Sequence, residues 1–408
     1  MNTAKYTADF VRNNLISMSK MANCTLPQKK ALKQITCGLL ENKAPMLNHL
    51  SKETEKATTK KQAEKLGKHL GKVDLTKSVN KIVLNKAIEQ IKAIAEKEEE
   101  TVIAYDLTDI AKPCAQKMAG LTKVFDGSKR QKTNGYVLHG VGTKKMLIRL
   151  DLHDPDKHTL PETRKNIIED ITDKIKTPTI WAFDRGNDSG ELFRYLNQKQ
   201  KIKFIIRLRK NRQILNKETG EIKKVTELKP GKYRVCIKKS NSQKFDLKNE
   251  YLLVINEHLE QKLPIMLLCS INLENKTEEQ IVHLYLERWG STENHYKRIK
   301  NLYNLESIRL IKYNRLKNLL ALILFVAMLS SWLYYKINQG ILGITAYIKL
   351  LYTTYLKQRS LTFNQNSFGG FITKILPKNL RFSVGARAPD TRLQTSLFDF
   401  FDEKLGVI

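Results

Sequence analysis

The spacing of the apolar residues changes at residue 101, and that change limits the fold more than any other feature. Before it, apolar residues recur at helical intervals, in Phe10, Val11, Leu15 and Ile16 and again in Ile82, Val83, Leu84, Ala87, Ile88 and Ile91. After it come short β-rich runs at 101–105, 124–126, 134–141 and 145–150, at hairpin-like distances that predict antiparallel neighbours. An amphipathic helix follows at 161–176, with Ile167, Ile168, Ile171 and Ile175 on one face. Next are a buried strand at 179–183, a short helix at 191–198 and a run at 202–208. That last run alternates apolar with basic residues, as a half-exposed strand does. The order predicts an α/β fold, a mixed sheet covered by helices. Asp106 ends the first strand and Asp184 ends the strand at 179–183. Open α/β sheets place their sites at such carboxyl ends.

Beyond residue 210 the strand-like pieces 232–237, 251–255 and 265–269 are separated by charged turns. They read as a β-rich insertion, part of which returns to the main sheet. A helix from 278 to about 299, an apolar helix from 315 to about 337 and a helix at 341–357 follow. The chain is loop-like from Ser360 and ends in a weakly held tail at 398–408. The expected organisation is therefore a helical basic region at 1–98, a core split between 99–209 and 276–340, the insertion at 210–275, and a helical C-terminal region with its tail at 341–408.

The stretch from Tyr285 to Lys300 combines aromatics, acids and cations. Glu293 and Lys300 lie seven apart and share a face at about 3.6 residues per turn. Tyr285 and Arg288 lie three apart and do so as well. A carboxylate flanked by cations suits a metal-dependent site acting on phosphate; a surface helix with salt-bridge pairs is the other reading of this stretch alone.

Charge decides which ligands to consider. Lys and Arg number 72 against 41 Asp and Glu, a net charge of +31. A field of that size favours a polyanion, above all nucleic acid, over an anionic membrane surface. Lysines of the first 98 residues either touch DNA backbone or form a solvated face on a helical cap. The five cysteines form no CxxC pair, which argues against a disulfide framework and a structural zinc, and fits a reducing cytosol with nucleoid association when DNA is bound. The N-terminus opens no apolar signal region. The apolar run 319–329 is short for a bilayer and reads as a buried core helix.

Asp106, Asp184 and Glu293 are the candidate acids. Together they can hold two Mg²⁺ or Mn²⁺ ions by carboxylate oxygens, as phosphodiester chemistry needs. Asp109 is a rival to Asp106. Asp188 reads as a second acid beside the site or as a surface turn, and His139 as a group approaching the metal or as a satisfied core histidine.

Three blocks carry a family resemblance. One is Ile103-Ala-Tyr-Asp106-Leu-Thr-Asp109-Ile-Ala-Lys-Pro113, continuing to Asp126-Gly-Ser and Asn134-Gly-Tyr. Another is Trp181-Ala-Phe-Asp184-Arg-Gly-Asn-Asp188. The last is 285–300. In this order, over roughly residues 100–335, the chain resembles the DDE transposases of bacterial and archaeal insertion sequences, in the group with a Tyr-Arg-Glu-Lys signature. The resemblance implies an RNase H-like catalytic core with a β-rich insertion, flanked by helical N-terminal and C-terminal regions. It implies metal-dependent endonuclease cleavage at transposon ends and strand transfer into target DNA, by a homodimer on DNA. It makes Asp106, Asp184 and Glu293 the metal-binding triad, and it gives Tyr285, Arg288 and Lys300 the phosphates of the terminal nucleotides. Trp289 is placed either on a base or on an apolar helix face.

One spacing departs from the family. Four residues, 289–292, separate Arg288 from Glu293 where the family has three. On an unbroken helix the two side chains would point about 140° apart, at roughly 100° per residue. The count predicts either a π-bulge near Gly290-Ser291 or a helix restarted with Ser291 or Thr292 as its cap. Two other functions compete. A DNA-binding protein of transposon origin that no longer catalyses fits the charge equally. A phosphatase with Asp106 as nucleophile lacks the second Asp at position 108, where Thr108 stands.

Overall fold

Helices α1 (Thr3–Met21), α2 (Leu26–Asn42), α3 (Leu47–Leu50), α4 (Thr59–Leu70) and α5 (Thr76–Ala95) precede the first strand. The computed structural model describes residues 3–42, 45–51, 58–97, 99–127, 129–199, 202–239, 244–257 and 264–338. The helix expected at 341–357, and the loop and tail after it, lie outside them.

The sheet begins with β1 (Thr101–Ala111), β2 (Thr122–Asp126), β3 (Gln131–Gly142) and β4 (Leu147–Leu152). Then come α6 (Leu160–Lys174), β5 (Thr179–Phe183), α7 (Gly190–Gln198) and β6 (Lys203–Arg207). Strands β7 (Gln213–Asn216), β8 (Ile222–Lys224), β9 (Gly231–Ile237), β10 (Tyr251–Asn256) and β11 (Ile265–Cys269) follow. The chain continues through α8 (Glu278–Arg288), a π turn (Trp289–Glu293), α9 (Asn294–Tyr303) and α10 (Tyr313–Asn338). All eleven strands join one sheet in the order β2-β3-β1-β5-β6-β11-β10-β9-β7-β8, with β4 also on β3. β1, β5 and β6 are parallel; the other pairings are antiparallel.

Three expectations change here. β1 does not end at Asp106 but runs to Ala111. What ends after Tyr105 is its pairing with β5; beyond that point only β3 flanks it. The run at 202–208 is not half exposed. β6 lies between β5 and β11, and Phe204, Ile205 and Ile206 are all fully buried because both sheet faces are covered there. Its basic residues occupy the strand ends. The β-rich segment, expected to return to the main sheet in part, joins it through all its described strands: β11 pairs with β6 and carries β7–β10 along as a continuation of the same sheet.

Helices α6 and α7 supply Ile167, Ile168, Ile171, Leu192, Phe193 and Leu196 to one face, over Tyr105, Trp181, Phe183 and Phe204. Helix α8 covers the other with Ile281, Val282, Leu284 and Tyr285, over Val102, Ile180, Ala182 and Ile205. α8 starts where it does because Thr277 and Gln280 form a reciprocal capping box, with Glu278 and Glu279 against the positive end of the helix dipole. α10 is long and apolar enough to cross a membrane by length and composition, yet 94% of its most apolar stretch is buried in the protein. It packs on α5, α2, α4 and β4, as the core helix the sequence predicts.

Two buried polar groups hold this arrangement. Asn318 on α10 donates to Leu70 O (2.9 Å) and Val73 O (2.7 Å) and accepts from Leu75 N–H (2.9 Å), so one amide satisfies the turn between α4 and α5. His139 on β3 is fully buried between the Tyr105 hydroxyl (2.7 Å) and His153 Nδ1 (3.1 Å). It is a core histidine with its partners satisfied. Burial, then the neighbouring His153 and Arg164, push its pKa down to about 3.

Replacing Asn318 with Ala strands three backbone groups and should lower stability by on the order of 2–4 kcal/mol, read from urea unfolding midpoints at unchanged slope. For His139 the unfolded state binds a proton below a pKa of about 6.5 and the folded state does not until about 3. The stability held above that upper value should therefore fall by up to about 1.4 kcal/mol per pH unit as pH drops through this window. A His139→Gln variant should show a shallower fall between pH 6 and 5, and an unchanged slope would overturn the assignment.

Candidate active site

The first two acids are brought together by strand register. Tyr105 is paired with Phe183 in the parallel β1–β5 ladder, so Asp106 and Asp184 follow side by side. Side chains alternate along a strand, which turns both carboxylates to the face that α8 covers. Asp184 is steadied from behind. Arg164 on α6 donates to Asn187 Oδ1 (2.8 Å), and the Asn187 amide donates to Asp184 Oδ1. Gly186 leaves room for this, since a Cβ there would lie 3.1 Å from an Asp184 oxygen. Asp109 stands apart from the pair. Its partners are Lys300 and the Phe125 N–H, and burial still raises its pKa.

The third acid depends on the π turn. Asn294 N–H bonds to Trp289 O, five residues back, so the extra residue between Arg288 and Glu293 is absorbed without breaking the helix. Of the two alternatives the count allowed, the structure has the π turn. Ser291 and Thr292 do not cap a new helix; they are fully buried, and their hydroxyls donate to Glu287 O (2.8 Å) and Arg288 O (3.3 Å), carbonyls that the wider turn leaves short of donors. Two glycines of β3 make space for it. A Cβ on Gly142 would meet Ser291 O at 2.1 Å, and one on Gly140 would meet the Tyr296 hydroxyl at 1.8 Å. That hydroxyl donates to Asp106 O (2.7 Å), and His295 Nε2 bonds to Thr143 O (2.8 Å). α9 is thereby docked on both β1 and β3.

Arg288 now faces Glu293 instead of pointing away. Its guanidinium reaches Asp106 Oδ2 at 3.3 Å and Glu293 Oε1 at 3.0 Å, and lies 5.7 Å from the centre of the Tyr285 ring. Even so, Asp106 is short of positive charge. Desolvation, then the charge of Asp184, push its pKa up to about 7 against the pull of Arg288 and the Leu107 N–H. Among the described residues no three His, Cys, Asp or Glu side chains stand close enough together to hold one ion. Arg288 occupies the space between Asp106 and Glu293. The donors nevertheless suit a divalent cation, being carboxylate oxygens, two of them on neighbouring strands where burial and like charge disfavour both being ionised without one. Tyr285 is buried and Lys300 half-buried, whereas Trp289 is 42% exposed.

This layout can be compared with known proteins. The sequence profile of the transposase DDE domain matches residues 97–329, more than half of the chain. The chain belongs to this transposase family. No curated protein matches it. Among solved structures it is similar to the piggyBac transposase in a cryo-EM synaptic complex with hairpin DNA, at 11% sequence identity and a TM-score of 0.46, covering 90% of this chain and 74% of that one.

In this transposase the DDE domain match runs from just before β1 into α10 and so contains Asp106, Asp184 and Glu293. Sequence reading missed the supports. Asn187, Arg164, Tyr296 and His295 carry no distinguishing spacing. Gly140 and Gly142 did carry a signal, as glycines two apart inside a strand mark a close backbone approach. Asp188 is no surface turn; its side chain is fully buried in an ion pair with Arg212.

Gly142→Ala must drive β3 and the π turn apart. It should cost about 1–3 kcal/mol and remove hydrogen-exchange protection from residues 289–296. Gly127→Ala, with open space around it, should stay within about 0.5 kcal/mol of wild type.

Proposed function

We propose that this transposase cleaves DNA at the ends of a mobile element and joins those ends to target DNA, using Asp106, Asp184 and Glu293 as its acids. The observation that carries the reading is the pairing of Asp106 with Asp184, with Glu293 tied to the pair through Arg288. Strand register sets Asp106 beside Asp184, and the π turn lets Arg288 link Asp106 to Glu293. The order of antiparallel β3 followed by parallel β1, β5 and β6 supports an RNase H-like core.

Mg²⁺ or Mn²⁺ held by these carboxylates would activate an oxygen nucleophile and stabilise the leaving oxygen. Around them the chain's own residues bind and orient the DNA. Arg288 offers a planar fork suited to phosphate, pre-positioned by Tyr285 beneath it. Lys300, two turns beyond Glu293 and beside Asp109, adds a point charge, and Trp289 presents an exposed ring on which a base can stack. This assigns Tyr285, Arg288, Glu293 and Lys300 to the Tyr-Arg-Glu-Lys group. Because two element ends have to meet, the working form is a homodimer on DNA.

The test is cleavage of a labelled duplex carrying the terminal repeats that flank the gene, with Mg²⁺ or Mn²⁺. Wild type should cut at the element ends, and Glu293→Gln should bind the same ends without cutting. End-specific binding with no cut by wild type under either metal would favour the non-catalytic DNA-binding protein. Cutting that persists in Glu293→Gln would mean that the third acid lies elsewhere.

A further inference from the structure

Beyond Asp184 the rim of the sheet opens into a cleft of about 760 Å³. Arg185, Arg207, Arg209, Lys210 and Arg288 line it, with Asp184 the one carboxylate among the described lining residues. Tyr285 lies in its wall, close enough for Arg207 to act on the phenol. Arg288 is ion-paired with Asp106 and Glu293, and the other four cations around one acid make this a site suited to an anion. Its position follows from topology, because β1, β5 and β6 are parallel neighbours whose register pairs Tyr105 with Phe183 and Phe183 with Ile206, so Asp106, Asp184 and Arg207 follow in a row. Two strand spacings of about 4.8 Å cover roughly 10 Å. A nucleic-acid strand advances about 3.4 Å along its axis per phosphate, so the row spans about three phosphates.

The loop that bears these cations is built, not merely solvated. The side chain of Asp188 is fully buried, accepts from Arg209 N–H (2.7 Å) and is ion-paired with Arg212. Leu208 N–H bonds to Met266 O (2.9 Å), and Val225 N–H bonds to Arg212 O (2.9 Å). The Arg212 guanidinium lies 5.7 Å from the centre of the Phe193 ring. A buried carboxylate that holds a loop from below leaves the neighbouring cations to face the cleft. Lysines and arginines that only confer solubility need no such anchor.

We infer that this cleft seats the backbone phosphates next to the scissile one on the cut strand, with Arg207, Arg209 and Lys210 as its ligands and Asp188 as a positioning residue. The inference rests on the proposed DNA-cleaving function and adds residues to it on the side of the site away from Glu293.

The experiment measures binding of a labelled element end in metal-free buffer over a range of salt concentrations. Arg209→Gln/Lys210→Gln should weaken binding and reduce the slope of log affinity against log salt by about 1.4–1.8, the value for two lost phosphate contacts. Lys174→Gln/Lys176→Gln removes the same charge from the end of α6 and the turn after it, on the opposite sheet face, and should leave the slope unchanged. Asp188→Asn keeps every cleft cation yet should weaken binding several-fold, with the fold checked by its unfolding midpoint. An unchanged slope in the Arg209/Lys210 variant, or an equal fall in the α6 control, overturns the inference while leaving the proposed function in place. Wild type that does not bind element ends overturns both. Competition by inorganic phosphate at concentrations that leave DNA bound to the Arg209/Lys210 variant unaffected would also support the cleft, whereas equal competition against both proteins would count against it.

Discussion

The parallel ladder between β1 and β5 is what the site depends on. Pairing Tyr105 with Phe183 sets two carboxylates side by side where the β1–β5 ladder stops, and Asp106 there is poorly solvated beside the like charge of Asp184. Nothing in the stability of the sheet asks for that, and the surrounding structure works to hold it. Arg164 and Asn187 steady one acid from α6, Tyr296 holds the backbone of the other, and Arg288 lays a guanidinium across to Glu293. Like charges kept together against such a cost are a common mark of functional sites.

Much of this was legible in the chain because it follows from local pattern. The change from helical spacing to short apolar runs marks where the sheet starts, and Asp106 and Asp184 were found as acids that close such runs. The π turn was legible as arithmetic, since one residue too many between Arg288 and Glu293 has few ways to be accommodated. What escaped depends on neighbours distant in sequence. β6 looked half exposed because alternation with basic residues reports composition, not the β11 and β5 strands on either side of it. The continuation of the sheet through β7–β11 needed the β6–β11 pairing, which no local spacing announces. Asp188 looked like turn chemistry until Arg212, 24 residues away, was seen to bury it.

The two sides of the site differ in how rigidly they are made. Asp106 and Asp184 stand on strands inside a sheet covered on both faces, with fully buried aromatics behind them. Glu293 is exposed and belongs to a helix that is docked through side chains, by His295 and Tyr296. The two strand-borne acids are thus held by the sheet itself, and Glu293 by its ion pair to Arg288.

The π turn also bears on how this chain should be aligned with its relatives. An inserted residue inside a helix would ordinarily rotate everything after it by roughly 100° and bury the wrong face. Here the extra residue is confined to 289–293, and α9 continues with its own face intact. Against any relative with three residues between its Arg and its Glu, an alignment that forbids gaps within helices holds Glu293 and Lys300 in step and displaces Arg288 by one position, or does the reverse. Counting residues through such a helix is unsafe, and the three-dimensional pairing of Arg288 with Glu293 is the sounder guide to which positions correspond.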